Sequence, residues 1–105
     1  MNNTIPIKVV RKIISDILIE RSNAIMQASD EIAEKSFKDT GVCCEYALEV
    51  GTEACGTRVL ADSIELGEIS IEEAITEILT GEERQEAKRR CLEYISKEQK
   101  GETER

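Results

Sequence analysis

Apolar residues recur along the first forty positions at the three- and four-residue steps of a helix. Ile7, Val10, Ile14, Ile17, Leu18, Ala24, Ile25, Ala28 and Ile32 fall in one arc when each residue is turned by 100°. Pro6 suits a first helical turn, with Thr4 or Ile5 as the flanking cap, and nothing breaks the pattern before Gly41. The spacing predicts one amphipathic helix of about thirty residues, roughly 45 Å long at 1.5 Å per residue. A thinner stripe, Ile19, Met26, Ala33 and Phe37, lies across from the first. One antiparallel neighbour covers a single stripe, so the second calls for the chain's own C-terminal helices or for another subunit.

From Val42 onward, Cys43, Cys44, Tyr46, Ala47, Leu48, Val50, Gly51, Ala54, Cys55, Thr57, Arg58, Val59 and Ala61 share an arc, and Glu45, Glu49, Thr52, Glu53 and Gly56 fill the other sector. This predicts a second helix whose cysteines face inward as small hydrophobes. Its small residues Ala47, Gly51, Ala54 and Ala61 would let the first helix approach closely. A rival is a strand hairpin, "YALEV" and "TRVLA" around Gly51 and Gly56, because glycine disfavours helix interiors by about 1 kcal/mol. Unbroken helical periodicity favours the helix. "SIEE" at 70–73 and "TGEE" at 80–83 fit the capping box S/T-x-x-E, which predicts short helices over 71–79 and 82–97. The expected fold is all-α: a long N-terminal helix in an antiparallel helical hairpin, then two short C-terminal helices. Residues 1–97 form one helical domain and 98–105 a flexible polar tail.

Composition fits a single modest core, since the chain has 105 residues, 40% hydrophobic, with aromatics at 3%. No apolar run reaches the eighteen or so residues of a membrane span, and the N-terminus lacks a signal peptide's apolar segment, so the expected location is the cytoplasm. Four cysteines there read as thiols. On a helix Cys44 and Cys55 stand about 16 Å apart, beyond disulfide reach, which leaves only Cys91 as a partner for Cys43, Cys44 or Cys55.

The net charge of -8 is uneven. Residues 1–40 carry six cations and six acids and residues 82–105 seven of each, whereas 41–81 hold nine acids against Arg58 alone. That middle third repels nucleic acid and membrane surfaces and attracts basic partners. Glu45, Glu49, Glu53 and Glu73 are the candidate partner-binding residues. Arg58, inside the apolar arc with Asp62 four residues on, is either an intrahelical ion pair or an anchor for an anionic ligand. Ile19, Met26, Ala33 and Phe37 are the candidate oligomer interface. Two basic groups, Lys8, Arg11 and Lys12, and Arg84, Lys88, Arg89 and Arg90, read as solvated helix faces without the aromatic platform of single-strand binders.

The chain has no histidine, which excludes Ser/His/Asp and Cys/His catalysis. It has no C-x-x-C pair for zinc, no Glu-x-x-His pair for a di-iron centre and no phosphate-binding glycine loop. Neither metal nor cofactor is expected, nor an enzyme.

"TIPIKVVRKIISDILIERSNAI" followed by "GVCCEYALEVGTEACGTRVL" resembles small helical accessory proteins of phages and prophages of Gram-positive bacteria. Many of these begin with an Ile-Pro-led amphipathic helix and fold back in a cysteine- or alanine-bearing one. The resemblance spans residues 4–65 and carries no functional residue across. It implies a cytosolic phage protein that acts by binding, as inhibitors of host defence proteins do. Its alternatives are an oligomeric sponge for a small anionic nucleotide signal and a structural phage or plasmid component.

Overall fold

The computed structural model describes the backbone of residues 5–41 and 45–103 and side chains as far as residue 98. It is all-helical, with no strand among the described residues. Helix α1 spans Ile7–Thr40, α2 Glu45–Leu66, α3 Ile71–Glu73 and α4 Gly81–Thr103, with one π-helical turn at Ala74–Ile78 between α3 and α4. The strand hairpin around Gly51 and Gly56 is thereby excluded, and α1 with α2 forms the expected antiparallel hairpin.

Each helix end follows from its sequence. Pro6 is the residue before the first turn of α1 rather than part of it, and its carbonyl accepts from the Val9 and Val10 amides at 3.0 and 3.1 Å. Gly41 closes α1 at φ 75°, its amide donating to the Phe37 carbonyl at 2.7 Å, a left-handed cap that costs glycine nothing. The C-terminus of α2 is a Schellman motif: Gly67, at φ 86°, donates to the Ile64 carbonyl, and Glu68 to that of Ser63. Of the two capping boxes, Thr80–Glu83 forms in full, and Ser70 caps its helix through one bond. The Glu73 amide donates to Ser70 Oγ at 3.1 Å; the Glu83 amide donates to Thr80 Oγ1 at 3.2 Å, and the Thr80 amide to Glu83 Oε1 at 2.9 Å.

Three features depart from expectation. The segment 71–79 is not a regular helix, because Leu79 donates five residues back to the Ala74 carbonyl. Helix α4 is 23 residues long, and its backbone stays helical to Thr103 where a tail was expected from 98. The hairpin is joined by a far narrower seam than the predicted arcs. Ser15, Ser22 and Ser29 of α1, each seven residues apart, are buried, as are Ala47, Ala54 and Ala61 of α2. Ser22 Oγ donates to the Ala54 carbonyl and Ser29 Oγ to the Ala47 carbonyl, each at 2.7 Å. The same register sets Ser15 opposite Ala61. Small residues at the contact let the two backbones approach, as expected; a Cβ at Gly51 would sit 3.3 Å from Ser29 Oγ.

The core lies at one end. Ile14, Ile17 and Leu18 meet Ala61 and Ile64 of α2, Ala74 and Leu79 after α3, and Ala87 of α4. Beyond it the hairpin continues as two helices alone. The molecule therefore measures 62 × 29 × 22 Å with a radius of gyration of 18.0 Å, against about 13 Å for a compact chain of this length.

Candidate functional site

Helix α2 touches α1 along one narrow line, so most of its circumference faces outward. Tyr46, Leu48, Cys55, Arg58 and Val59 are exposed, not buried as the broad arc implied. The reason is geometric. A two-helix contact buries about two positions in seven, and Ala47, Ala54, Thr57, Ala61 and Ile64 take them. On the outward side stand Glu45, Glu49 and Glu53, one turn apart, interleaved with Tyr46 and Leu48, which are 63% and 64% exposed. None of these three carboxylates makes an ion pair among the described residues. Glu73 is exposed too, but belongs elsewhere: it follows the turn at the far end of α2, thirteen residues or about 20 Å of helix past Glu53. There it lines a shallow acidic depression with Ser70, Glu72, Thr76 and Glu77.

Arg58 is not an internal anchor. Its side chain is half exposed and reaches Asp62 at 3.8 Å, the intrahelical pair that the spacing allows. Of the four apolar residues assigned to an oligomer interface, Ile19 packs against the core and Ala33 is half-buried. Met26 and Phe37 stay 36% and 63% exposed, beyond the reach of the C-terminal helices. Cys55 is an exposed thiol and Cys91 a half-buried one, both unpaired. Burial pushes the Cys91 thiol up from its ordinary value. Cys43 and Cys44 lie outside the described residues.

The carboxylates of the core end are differently employed. Arg21, one turn past Ile17 and Leu18, pairs with Glu83 and donates to the Ile78 carbonyl at 3.0 Å, tying α1 to the start of α4. Its guanidinium, aided by Thr80, holds the Glu83 carboxyl below the ordinary range against the opposing effect of burial. Arg90 joins Glu20 of α1 to Glu86, and Arg89 joins Glu86 to Glu93. Hydrogen bonds from these two arginines take the Glu86 carboxyl down to about 2. Lys12 pairs with Asp16 and Glu65, and Arg11 donates to the Ile64 and Ile69 carbonyls at 3.0 and 2.7 Å, satisfying the end of α2. Of the two basic groups read as solvated faces, Arg11, Lys12 and Arg90 thus fasten one element to another, while Lys8, Arg84, Lys88 and Arg89 stay exposed as expected.

Sequence reasoning missed Arg11 and Arg21 in these roles. Arg21 carried a signal, a cation directly following the buried arc; Arg11 contacts carbonyls that no spacing rule announces. The seven-residue repeat of Ser15, Ser22 and Ser29 was also legible and matches that of Ala47, Ala54 and Ala61. Among the described residues, no three Cys, Asp or Glu side chains gather into a metal-holding group, and no helix is long and apolar enough to cross a membrane. Comparison with protein-family models, with curated proteins and with solved structures gives no match.

Proposed function

We propose that the protein acts by binding, without catalysis, and docks a basic protein surface on the outward face of α2. One observation supports this above others: Glu45, Glu49 and Glu53 are exposed beside exposed Tyr46 and Leu48 and make no ion pair among the described residues, only Glu53 lying within electrostatic reach of Arg21, whereas Glu20, Glu83, Glu86 and Glu93 are bonded by the protein's own arginines. An acidic row flanked by Tyr46 on one side and Leu48 on the other has the makings of an interface: apolar contact for affinity, and charge for steering and discrimination. Inhibition of a host defence protein, the role that the phage resemblance implies, is the form such docking would take. Glu73, at the other end of α2, extends the acidic surface toward a larger partner.

The test compares wild type with a variant in which Glu45, Glu49, Glu53 and Glu73 are changed to lysine, each used as bait in crosslinked affinity capture at two salt concentrations. Expected is a basic partner that is lost from the variant and weakened by salt, while far-UV circular dichroism shows the variant folded. An unchanged set of captured partners refutes the reading. A second reading, self-association, is favoured by exposed Met26 and Phe37; sedimentation of a Met26→Lys, Phe37→Lys variant tests it, and identical behaviour to wild type removes it.

A further inference from the structure

A second uncommitted surface has the opposite sign. Between α1, the π turn and α4 lies a cleft of about 250 Å³. Its floor is formed by buried Ile14 and Ala87 with half-buried Val10, and its walls by Ile75 and Cys91. Arg84 and Lys88 line its mouth, both exposed, and no acid lines it at all. These two cations stand one turn apart on α4 with no acid three or four residues from either. Like charges so placed repel each other. Neither makes an ion pair among the described residues, although every other described cation of α4 does. Arg84 spends one N–H on the Thr76 carbonyl at 3.3 Å and keeps the rest. In a chain of net charge -8, two unpaired cations over an apolar cleft are a specific arrangement.

We infer that this cleft binds an amphiphilic monoanion, an unbranched alkyl carboxylate whose chain lies along Ile14, Ile75 and Ala87 and whose carboxylate sits between Arg84 and Lys88. The chemistry selects this class. The walls offer aliphatic carbons and a thiol but no aromatic ring for a base to stack on, and the volume is below that of drug-sized ligand pockets. An apolar cavity of about 150 Å³ takes up benzene, so this one has room for roughly six to eight chain carbons. Arg84 supplies planar paired donors for a carboxylate, and Lys88 a second charge. The π turn shapes the site, since its extra residue per turn sends Ala74 and Leu79 to the core while Ile75 lines the cleft.

The experiment titrates the full chain with butanoate, hexanoate, octanoate, dodecanoate and the neutral octanamide by calorimetry. Maleimide labelling of Cys91 is followed in parallel by peptide mass spectrometry, with exposed Cys55 as the internal reference. Expected is saturable octanoate binding that slows labelling of Cys91 severalfold and leaves Cys55 unchanged. Affinity should rise roughly fourfold per methylene and level off beyond octanoate. Arg84→Gln with Lys88→Gln, both at exposed positions, should weaken octanoate at least tenfold while far-UV circular dichroism shows the variant folded. The proposal is overturned by octanamide binding as tightly as octanoate, by affinity that climbs without limit to dodecanoate, by the double variant binding as wild type does, or by octanoate leaving Cys91 unprotected.

Discussion

Replacing Ser15 by alanine should stabilise the protein, whereas the same replacement at Ser22 or Ser29 should weaken it. All three serines sit at equivalent points of the α1–α2 seam, and all are buried, at 0%, 6% and 7% exposure. They differ in one respect: Ser22 and Ser29 donate to carbonyls of α2, while Ser15 Oγ has no partner. Alanine gains about 0.5 kcal/mol of helix propensity at each site. At Ser22 and Ser29 that gain is set against a lost hydrogen bond of about 1 kcal/mol, which leaves a net loss of about 0.5 kcal/mol. At Ser15 it adds to relief of about 1 to 2 kcal/mol from removing an unpaired buried hydroxyl, a net gain of about 2 kcal/mol. The variants should therefore differ by about 2 to 2.5 kcal/mol, which for a domain of this size separates melting temperatures by roughly 10–15 °C. Thermal unfolding followed by far-UV circular dichroism measures this directly. Three alanine variants melting within about 2 °C of one another would refute the assigned bonding of the seam.

The glycines of α2 give a second contrast. Gly56→Ala meets open space and should stabilise by about 0.5 to 1 kcal/mol, whereas at Gly51 the new Cβ presses on a Ser29 hydroxyl already held by Ala47 and should cancel that gain; equal stabilisation in urea denaturation would sink the distinction. Gly67→Ala, forced to φ 86°, should cost about 1 kcal/mol or more by the same measurement. Acid should loosen the attachment of α4 to α1. Glu83 and Glu20, which hold α4 to α1 through Arg21 and Arg90, titrate lower in the folded protein than their ordinary 4.5, so their stabilising share is complete above that pH and is lost as pH falls through the folded values. Glu83→Gln should flatten the dependence of melting temperature on pH in that window; an unchanged slope would show that the Arg21 pair is not its source.

Helix boundaries were the legible part of this chain because they are written in local chemistry. Gly41, the Ser70 cap and the Thr80–Glu83 box act within a few residues, and each stops or starts a helix where the pattern places it. Burial was less legible. The arc drawn for α2 assumed a broad apolar face, but the partner is a single helix meeting it through alanines, so Leu48, Val59 and Arg58 emerge on the surface. Which apolar residues remain outside depends on how far the C-terminal helices reach, and no periodicity within α1 or α2 encodes that distance. The cleft beside Arg84 and Lys88 was hidden for a similar reason. It needs Val10 and Ile14 from the other end of the chain, and a π turn that breaks the regular spacing of 71–79. The acidic row Glu45, Glu49 and Glu53 was readable in advance since its exposure depends on its own helix alone.

The repeat of the serine–alanine seam makes the hairpin degenerate under translation. Sliding α2 by seven residues would again set serines against alanines at two of the three positions, and an α2 borrowed from another molecule would satisfy the serines equally well. Nothing in the seam distinguishes self from copy. That information resides at the two ends, in Gly41 closing α1 and in Arg11 grasping the Ile64 and Ile69 carbonyls. The tether between the helices decides the rest by holding the chain's own α2 at an effective concentration that no second molecule matches in dilute solution. Concentrated protein refolded from denaturant would lose that advantage and exchange hairpin arms, building a longer rod from the same bonds.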